Sequence, residues 1–235
     1  MRKRGRVFMA GVLGMAVVGV LAGCAASASG VAASPSGAAP SSSSSVAGRP
    51  AGGGSNARSG PAAGGSSGTI DSVASSGFTL TTSAGQQVTV NETSSTVYRS
   101  GSSTATVGAV TVGKGVVVLG TVSGTTITAG QVTVGSAAGG SAASSAAGVV
   151  PFTRGAPSTA KKAGTIPTGY TEGSGTIVSG TTADSATEAA LAAYPGGVVD
   201  RVVKLGNGDY EVHYIGVNWP HHIFVDPAFK VLGAD

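Results

Sequence analysis

Residues 198–215 read VVDRVVKLGNGDYEVHYI, and this stretch indicates the architecture of the C-terminal part of the chain. Two runs rich in Val, Tyr and Ile, residues 198–205 and 209–215, stand on either side of Gly206-Asn207-Gly208. An Asn-Gly pair between two such runs is the strongest short-range signal of a β-hairpin. We therefore predict two antiparallel strands joined by a tight turn.

A helix is predicted before this hairpin, and shorter strands are predicted after it. Ser185-Ala186-Thr187-Glu188 matches a capping box, which places Ser185 at the N-cap of the helix. Pro195-Gly196-Gly197 ends that helix. Two further strands are predicted at residues 221–225 and 229–232. Residues 169–235 should therefore form a small α+β domain, in which a helix precedes an antiparallel β-meander.

The strand pattern places histidines where they could share a surface. Alternate residues of a strand face the same side, so Glu211 shares a face with His213, and His222 shares one with Asp226. If these faces coincide, they form a shallow His/Asp/Glu cluster, which is a donor set found in metal sites. The alternative is a solvated sheet face. We predict no resident metal and no other cofactor.

Four residues are the candidate ligand-binding residues: His213, Trp219, His221 and His222. Trp219 lies in the loop that is predicted to follow the hairpin. A Trp at a loop tip can stack on a ligand or anchor an interface, and it can equally fold back over the sheet edge. The opposite face of the hairpin, formed by Tyr210, Val212 and Tyr214, is predicted to pack on the helix.

Several short stretches of this segment carry a family resemblance: Ala189-Ala190-Leu191, Tyr194-Pro195-Gly196, Asp209-Tyr210-Glu211-Val212, Phe224-Val225-Asp226 and Phe229-Lys230-Val231. They resemble the PepSY-like group of small α+β envelope domains. Tyr210-Glu211-Val212-His213 looks closer still to the C-terminal module of actinobacterial secreted proteins. The resemblance implies an inhibitory or binding role. The loop at 216–222 departs from the usual loop of the group, so no ligand role is inherited there.

Residues 69–135 have the pattern of a second, all-β domain. Short runs rich in Val, Thr and Ile alternate with Gly turns, as in small β-barrels and sandwiches. Six strands are predicted, at 68–73, 78–82, 87–90, 96–99, 115–122 and 126–134. Eight apolar residues are predicted to face inward: Ile70, Phe78, Leu80, Val88, Val90, Val117, Leu119 and Ile127.

This second segment also carries a resemblance, through Gly68-Thr69-Ile70, the runs 78–82 and 87–90, Ser95-Thr96-Val97-Tyr98, the run 112–118 and Ile127-Thr128-Ala129. It resembles an uncharacterised β-domain family of bacterial secreted lipoproteins, which implies an OB-like fold. The predicted fold class is mostly β: a small antiparallel β-barrel and a small α+β C-terminal domain.

Low-complexity segments precede and separate the two domains. Residues 24–68 and 136–168 consist mainly of Ala, Ser, Gly and Pro. Such compositions behave as flexible coils because they offer little apolar surface to bury. We predict a disordered tether in the first segment and a disordered linker in the second.

The first residues have the pattern of a secretory signal. Residues 1–6 are basic and residues 7–22 are apolar, a run shorter than a membrane-spanning helix needs. Leu21-Ala22-Gly23-Cys24 then resembles the lipobox of bacterial lipoproteins. The resemblance implies removal of residues 1–23 and attachment of a diacylglyceryl group to Cys24. The alternative is ordinary cleavage after Ala26-Ser27-Ala28.

Charge and motifs exclude several classes of function. The net charge of +4 arises from four basic residues within the first six, so the mature chain would carry equal numbers of basic and acidic residues. The remaining basic residues are scattered, which argues against nucleic-acid binding. The sequence has no Gly-x-Ser-x-Gly elbow, P-loop or His-Glu-x-x-His motif. We therefore predict a protein without catalytic residues.

The predicted function is a non-catalytic binding module at the extracytoplasmic face of the cell membrane, attached through its lipid. The expected partners are an envelope protein or a cell-wall polymer. Two alternatives remain open. The PepSY-like segment could regulate or inhibit an extracellular protease or envelope enzyme, or the chain could be an enzyme that acts on cell-wall polymers.

Overall fold

The structure, a computed structural model, describes residues 61–135, 147–154 and 161–235. The predicted signal peptide, Cys24 and the predicted tether as far as residue 60 lie outside the described residues. The strands in chain order are β1 (Ala62–Ala74), β2 (Gly77–Thr81), β3 (Gln87–Asn91), β4 (Val97–Ser100), β5 (Ser103–Thr104), β6 (Gly115–Ser123), β7 (Thr126–Val134), β8 (Val150–Pro151), β9 (Ala163–Gly164), β10 (Thr176–Val178), β11 (Val198–Lys204), β12 (Tyr210–Ile215), β13 (Val217–Trp219), β14 (His222–Val225) and β15 (Val231–Ala234). One α-helix, α1 (Gly180–Ala193), lies wholly inside these ranges.

Five of these strands close a barrel. β1 pairs with β2 and β6, β2 pairs with β3, β3 with β7, and β7 with β6, so the ring has no open edge. The β3–β7 pair is parallel, and the barrel is therefore mixed rather than antiparallel as predicted. A parallel pair needs a long crossover. The residues between Asn91 and Thr126 provide one, and they bring β7 back alongside β3.

The barrel core confirms most of the predicted inward positions. Six of the eight lie in it: Ile70, Phe78, Leu80, Val88, Val90 and Ile127. The placement of Val117 and Leu119 in the barrel core was wrong, because β6 directs Val116 and Val118 there instead. Leu119 is nevertheless buried. Val117 packs against the core of the C-terminal half. The run from Gly115 is apolar at every position up to Leu119, so its pattern alone does not identify the inner face.

Strand β1 joins the barrel to the C-terminal sheet. Its Gly65 and Ser66 pair with Val199 and Val198 of β11, while its later residues pair with β2. The strand begins at Ala62, inside the segment predicted as a tether, and the two predicted domains share one sheet. Residues 64–67 are small and buried, and they let the neighbouring strands approach closely. They are all Gly and Ser, so their composition does not distinguish them from a flexible linker.

The C-terminal half contains the predicted helix and meander. β11, β12, β14 and β15 pair in that order as an antiparallel sheet, and the predicted Asn-Gly turn joins β11 to β12. Tyr210, Val212 and Tyr214 share a core with α1, as predicted. The predicted capping box was wrong, because α1 begins at Gly180 with Ser179 at its N-cap. Buried Ala183 packs in the same core, which stabilises the earlier turn of the helix.

The predicted linker contributes ordered strands to this half. β8 pairs with β13, and β9 pairs with β15. The residues between β9 and β10 cross the face of the sheet opposite α1, and β10 then pairs with β11. Ile166 and Tyr170 of this crossing segment, together with Ile177 of β10, pack on a core of Val203, Leu205 and Phe224. The sheet is therefore covered on both faces. No helix among the described residues has the length and apolar character needed to span a membrane.

Candidate functional site

Four polar side chains form a row that begins on β11, crosses β12 and β14, and ends just after β15 in the C-terminal sheet. His213 of β12 and His222 of β14 are direct cross-strand partners, and their ring centroids are 5.2 Å apart. Asp235, after β15, exchanges backbone hydrogen bonds of 3.0 and 3.1 Å with His222. Asp200 of β11 stands next to His213 at the other end. The meander thus brings together residues that are far apart in the sequence.

Asp200 reaches this row because β11 is irregular at that point. The pairing with β12 shifts register between Val199 and Arg201, so Asp200 is an extra residue in its strand. Bulges of this kind redirect side chains. Asp200 Oδ1 lies 2.6 Å from Nδ1 of His213, and its Oδ2 lies 3.0 Å from Nη1 of the buried Arg201. One carboxylate therefore accepts hydrogen bonds from both side chains.

All three histidines are oriented through Nδ1. His213 donates to Asp200 Oδ1 at 2.6 Å, His222 donates to Asp235 Oδ1 at 3.0 Å, and His221 donates to the Tyr214 carbonyl at 3.3 Å. Because carboxylate and carbonyl oxygens accept hydrogen bonds and have no hydrogen to donate, each Nδ1 carries the hydrogen, and each Nε2 of a neutral ring carries the lone pair. The sheet therefore holds three imidazoles whose Nδ1 atoms are hydrogen-bond donors and whose Nε2 atoms, in the neutral ring, have a free lone pair.

A buried carboxylate lies beside His222. Glu211 is 1 % exposed, and its Oε1 is 3.8 Å from His222 Nε2. Burial raises the pKa of Glu211, although the nearby His213 and Arg201 oppose that shift. Burial lowers the pKa of His222, against the opposing effect of its hydrogen bond to Asp235. The environment therefore favours a neutral imidazole at His222.

These residues line a cleft of about 520 Å³, which we call the histidine cleft. The sheet contributes His213, His221, His222 and Asp235, and the crossing segment contributes Tyr170 and Glu172. The rim is completed by Lys161, Lys162, Asn218 and Trp219. Tyr170 packs edge-on against Phe224, with ring centroids 4.7 Å apart. Burial raises the pKa of its hydroxyl, and the carboxylate of Glu211 adds to the rise.

Trp219 borders this cleft but is only 3 % exposed. Its ring packs edge-on against Tyr194, with centroids 5.6 Å apart, and its Nε1 donates a 2.6 Å hydrogen bond to the Lys161 carbonyl. The Lys161 ammonium lies 4.2 Å from the ring centroid. Trp219 therefore folds back onto the protein and is not exposed at a loop tip. There it fixes one wall of the cleft.

The predicted histidines come together, but their acidic partners differ from those expected. Asp226 does not join His222, because its carboxylate accepts hydrogen bonds from the backbone of Ala228 and Lys230 in a turn. Glu211 lies in a covered interior and not on a solvated face. The partners that sequence reasoning missed are Asp200, Asp235 and Glu172. Of these three, only Asp200 stands out in the sequence, because it is a charged residue within a predicted apolar strand. The bulge that directs it towards His213 has no sequence signal.

Three residues bring ligand atoms close enough to consider a metal ion. One atom each of Glu172, His213 and His222 lie within 4.8 Å of one another. Glu172 is exposed, whereas the two histidines are partly buried. Zinc and copper are bound in proteins by imidazole and carboxylate donors of this kind.

A comparison of the chain with protein-family models, with curated proteins and with solved structures finds no match in any of the three.

Proposed function

We propose that this chain is a lipid-anchored binding protein of the bacterial cell envelope, and that its ligand site is the histidine cleft. The carrying observation is the row from Asp200 to Asp235, in which carboxylates orient two imidazoles at the floor of a concave site. Such preorganisation lowers the entropy cost of binding. In this role the chain binds its ligand and does not transform it chemically.

The form of the cleft favours a small polar ligand or one unit of a polymer. A volume of about 520 Å³ falls in the range of small-molecule sites. A stable protein partner would need roughly 800 Å² of surface on each side. Lysines at 161 and 162, together with the imidazoles and Glu172, offer both donors and acceptors. A cell-wall polymer therefore fits the cleft better than a flat protein surface does.

Binding to cell wall tests this proposal directly. The mature chain is expected to co-sediment with insoluble, protein-free cell wall, and Lys162→Ala should reduce the bound fraction severalfold because it removes a rim donor. Lys114→Ala makes the same change at an exposed position of the barrel and should bind as wild type does. Equal binding by both variants would place the contact elsewhere. Stoichiometric inhibition of an extracellular protease, without wall binding, would favour the regulatory alternative.

That alternative has one observation in its favour. α1 packs on one face of the antiparallel meander of β11, β12, β14 and β15, which is the arrangement that the PepSY-like resemblance implies. Inhibition would then involve this half of the protein.

The lipid anchor is tested at Cys24. Expression in a bacterial host with radiolabelled palmitate should label the wild-type chain, and Cys24→Ser should remove the label entirely because no other cysteine is present. Two acyl chains suffice for stable anchoring, so the variant should also leave the membrane fraction. Ser27→Ala keeps the lipobox and should remain labelled. Label on the Cys24→Ser protein would contradict the proposal.

A further inference from the structure

We propose that the histidine cleft binds one divalent transition-metal ion, of the zinc and copper class, through Glu172, His213 and His222. The inference deepens the proposed function, since it uses the same cleft and assigns a ligand to its floor. It departs from the expectation, drawn from sequence, that the chain holds no metal.

The donor atoms are near the spacing that a metal requires. One ligand atom from each of the three residues lies within 4.8 Å of the other two. Around a tetrahedral zinc ion with bonds of about 2.1 Å, ligand atoms are roughly 3.4 Å apart. The most distant pair of ligand atoms would therefore have to approach by up to about 1.4 Å. The exposed side chain of Glu172 can move towards the two imidazoles, which are held on adjacent strands of the sheet.

Each imidazole has the outer partner that metal-bound histidines use. His213 and His222 hold their Nδ1 hydrogens on Asp200 and Asp235, at 2.6 and 3.0 Å. A carboxylate in this position fixes the ring, leaves the lone pair on Nε2 and raises the basicity of the ligand. Two such His–carboxylate pairs on adjacent strands are not expected of an ordinary solvated sheet face. The bulge that delivers Asp200 makes the arrangement more specific still.

Two buried polar atoms near these donors make no hydrogen bond to the described residues. They are His222 Nε2 and Glu211 Oε2. Leaving a buried polar atom without a hydrogen bond is energetically unfavourable. A cation bound to His222 Nε2 would satisfy that atom, and it would also bring positive charge towards the buried Glu211 carboxylate, whose Oε1 is 3.8 Å from it.

The donor set selects the class of ion. Calcium and magnesium take oxygen ligands, whereas imidazole nitrogen favours zinc and copper. Three protein donors leave at least one coordination position open, as in zinc sites that accept an outside molecule. That position would face the cleft and bind a donor atom of the ligand. The metal would thus become part of the ligand site.

Calorimetric titration of the EDTA-treated mature chain tests the assignment. Zn²⁺ and Cu²⁺ are each expected to bind at one site per chain, and Mg²⁺ and Ca²⁺ should give no heat of binding. His213→Gln and His222→Gln should each weaken Zn²⁺ binding at least tenfold, because each removes one ligand. Glu172→Gln should weaken it too, whereas Glu188→Gln, the same change on the exposed side of α1, should not.

Failure of the inference can be told from misfolding and from failure of the proposed function. Melting of the metal-free variants reports folding, and Glu172→Gln, at an exposed position, tests the site even if a histidine variant unfolds. Absence of one-site Zn²⁺ or Cu²⁺ binding, or equal loss in Glu188→Gln, overturns the metal site. Wall binding that persists after EDTA treatment would then leave the binding function standing. Metal uptake without wall binding would overturn the polymer ligand alone.

Discussion

Replacing Gly65 with Ala is expected to lower the free energy of unfolding by about 3 kcal/mol, the upper end of what overpacking usually costs. A Cβ at this position would collide with the Val118 carbonyl oxygen and come within 3.1 Å of Leu119 Cδ2. Gly65 pairs with Leu119 of β6 on one edge and with Val199 of β11 on the other. The strand is therefore held on both sides and cannot move away without losing ladder hydrogen bonds.

Thermal and urea unfolding followed by circular dichroism would measure this effect. For a folded unit of 150–250 residues, about 3 kcal/mol corresponds to a fall in Tm of roughly 6–12 °C. Gly130→Ala is the matched control, because its nearest neighbour would be the Leu119 carbonyl oxygen at 3.7 Å. That variant should stay within about 1 kcal/mol of wild type. Equal stability of the two variants would mean that the pairing of β1 with β6 and β11 does not prevent the strand from moving to accommodate a methyl group.

Asp200→Asn is expected to destabilise the fold by about 2 kcal/mol, because it removes the charge that pairs with a buried guanidinium. Arg201 is 2 % exposed, and its Nη1 lies 3.0 Å from Asp200 Oδ2, whose side chain is 23 % exposed. Breaking a fully buried pair costs about 3–5 kcal/mol, and the partial exposure of Asp200 reduces that figure. The same substitution weakens the hydrogen bond that orients His213.

Urea unfolding of a double-mutant cycle isolates this interaction. Asp209→Asn makes the same change in the hairpin turn, where the amide oxygen can still accept the exposed hydrogen bond from Asn207 Nδ2, and it should cost less than about 0.5 kcal/mol. Once Arg201→Met has removed the guanidinium, Asp200→Asn should cost much less than it does alone, since no buried cation is then left unpaired. Additive costs would show that the two side chains do not depend on each other for stability.

Local patterns in the sequence determined much of this fold. Gly206-Asn207-Gly208 between two apolar runs predicted the central hairpin, since turn chemistry and strand period are properties of neighbouring residues. The same period separated the helix-facing side of β12 from the side that carries His213. Six inward positions of the barrel followed in the same way. The strand period also placed His213 and His222 on faces that could coincide, but it did not identify Asp200 and Asp235 as their partners.

Only the tertiary structure decided how these elements combine. The parallel β3–β7 pair, the sharing of β1 between barrel and meander, and the burial of Trp219 all depend on surfaces distant in sequence. The bulge that turns Asp200 towards His213 is a matter of register between two strands. Period and turn signals act over a few residues, whereas pairing, register and burial are set by which surfaces meet and exclude water.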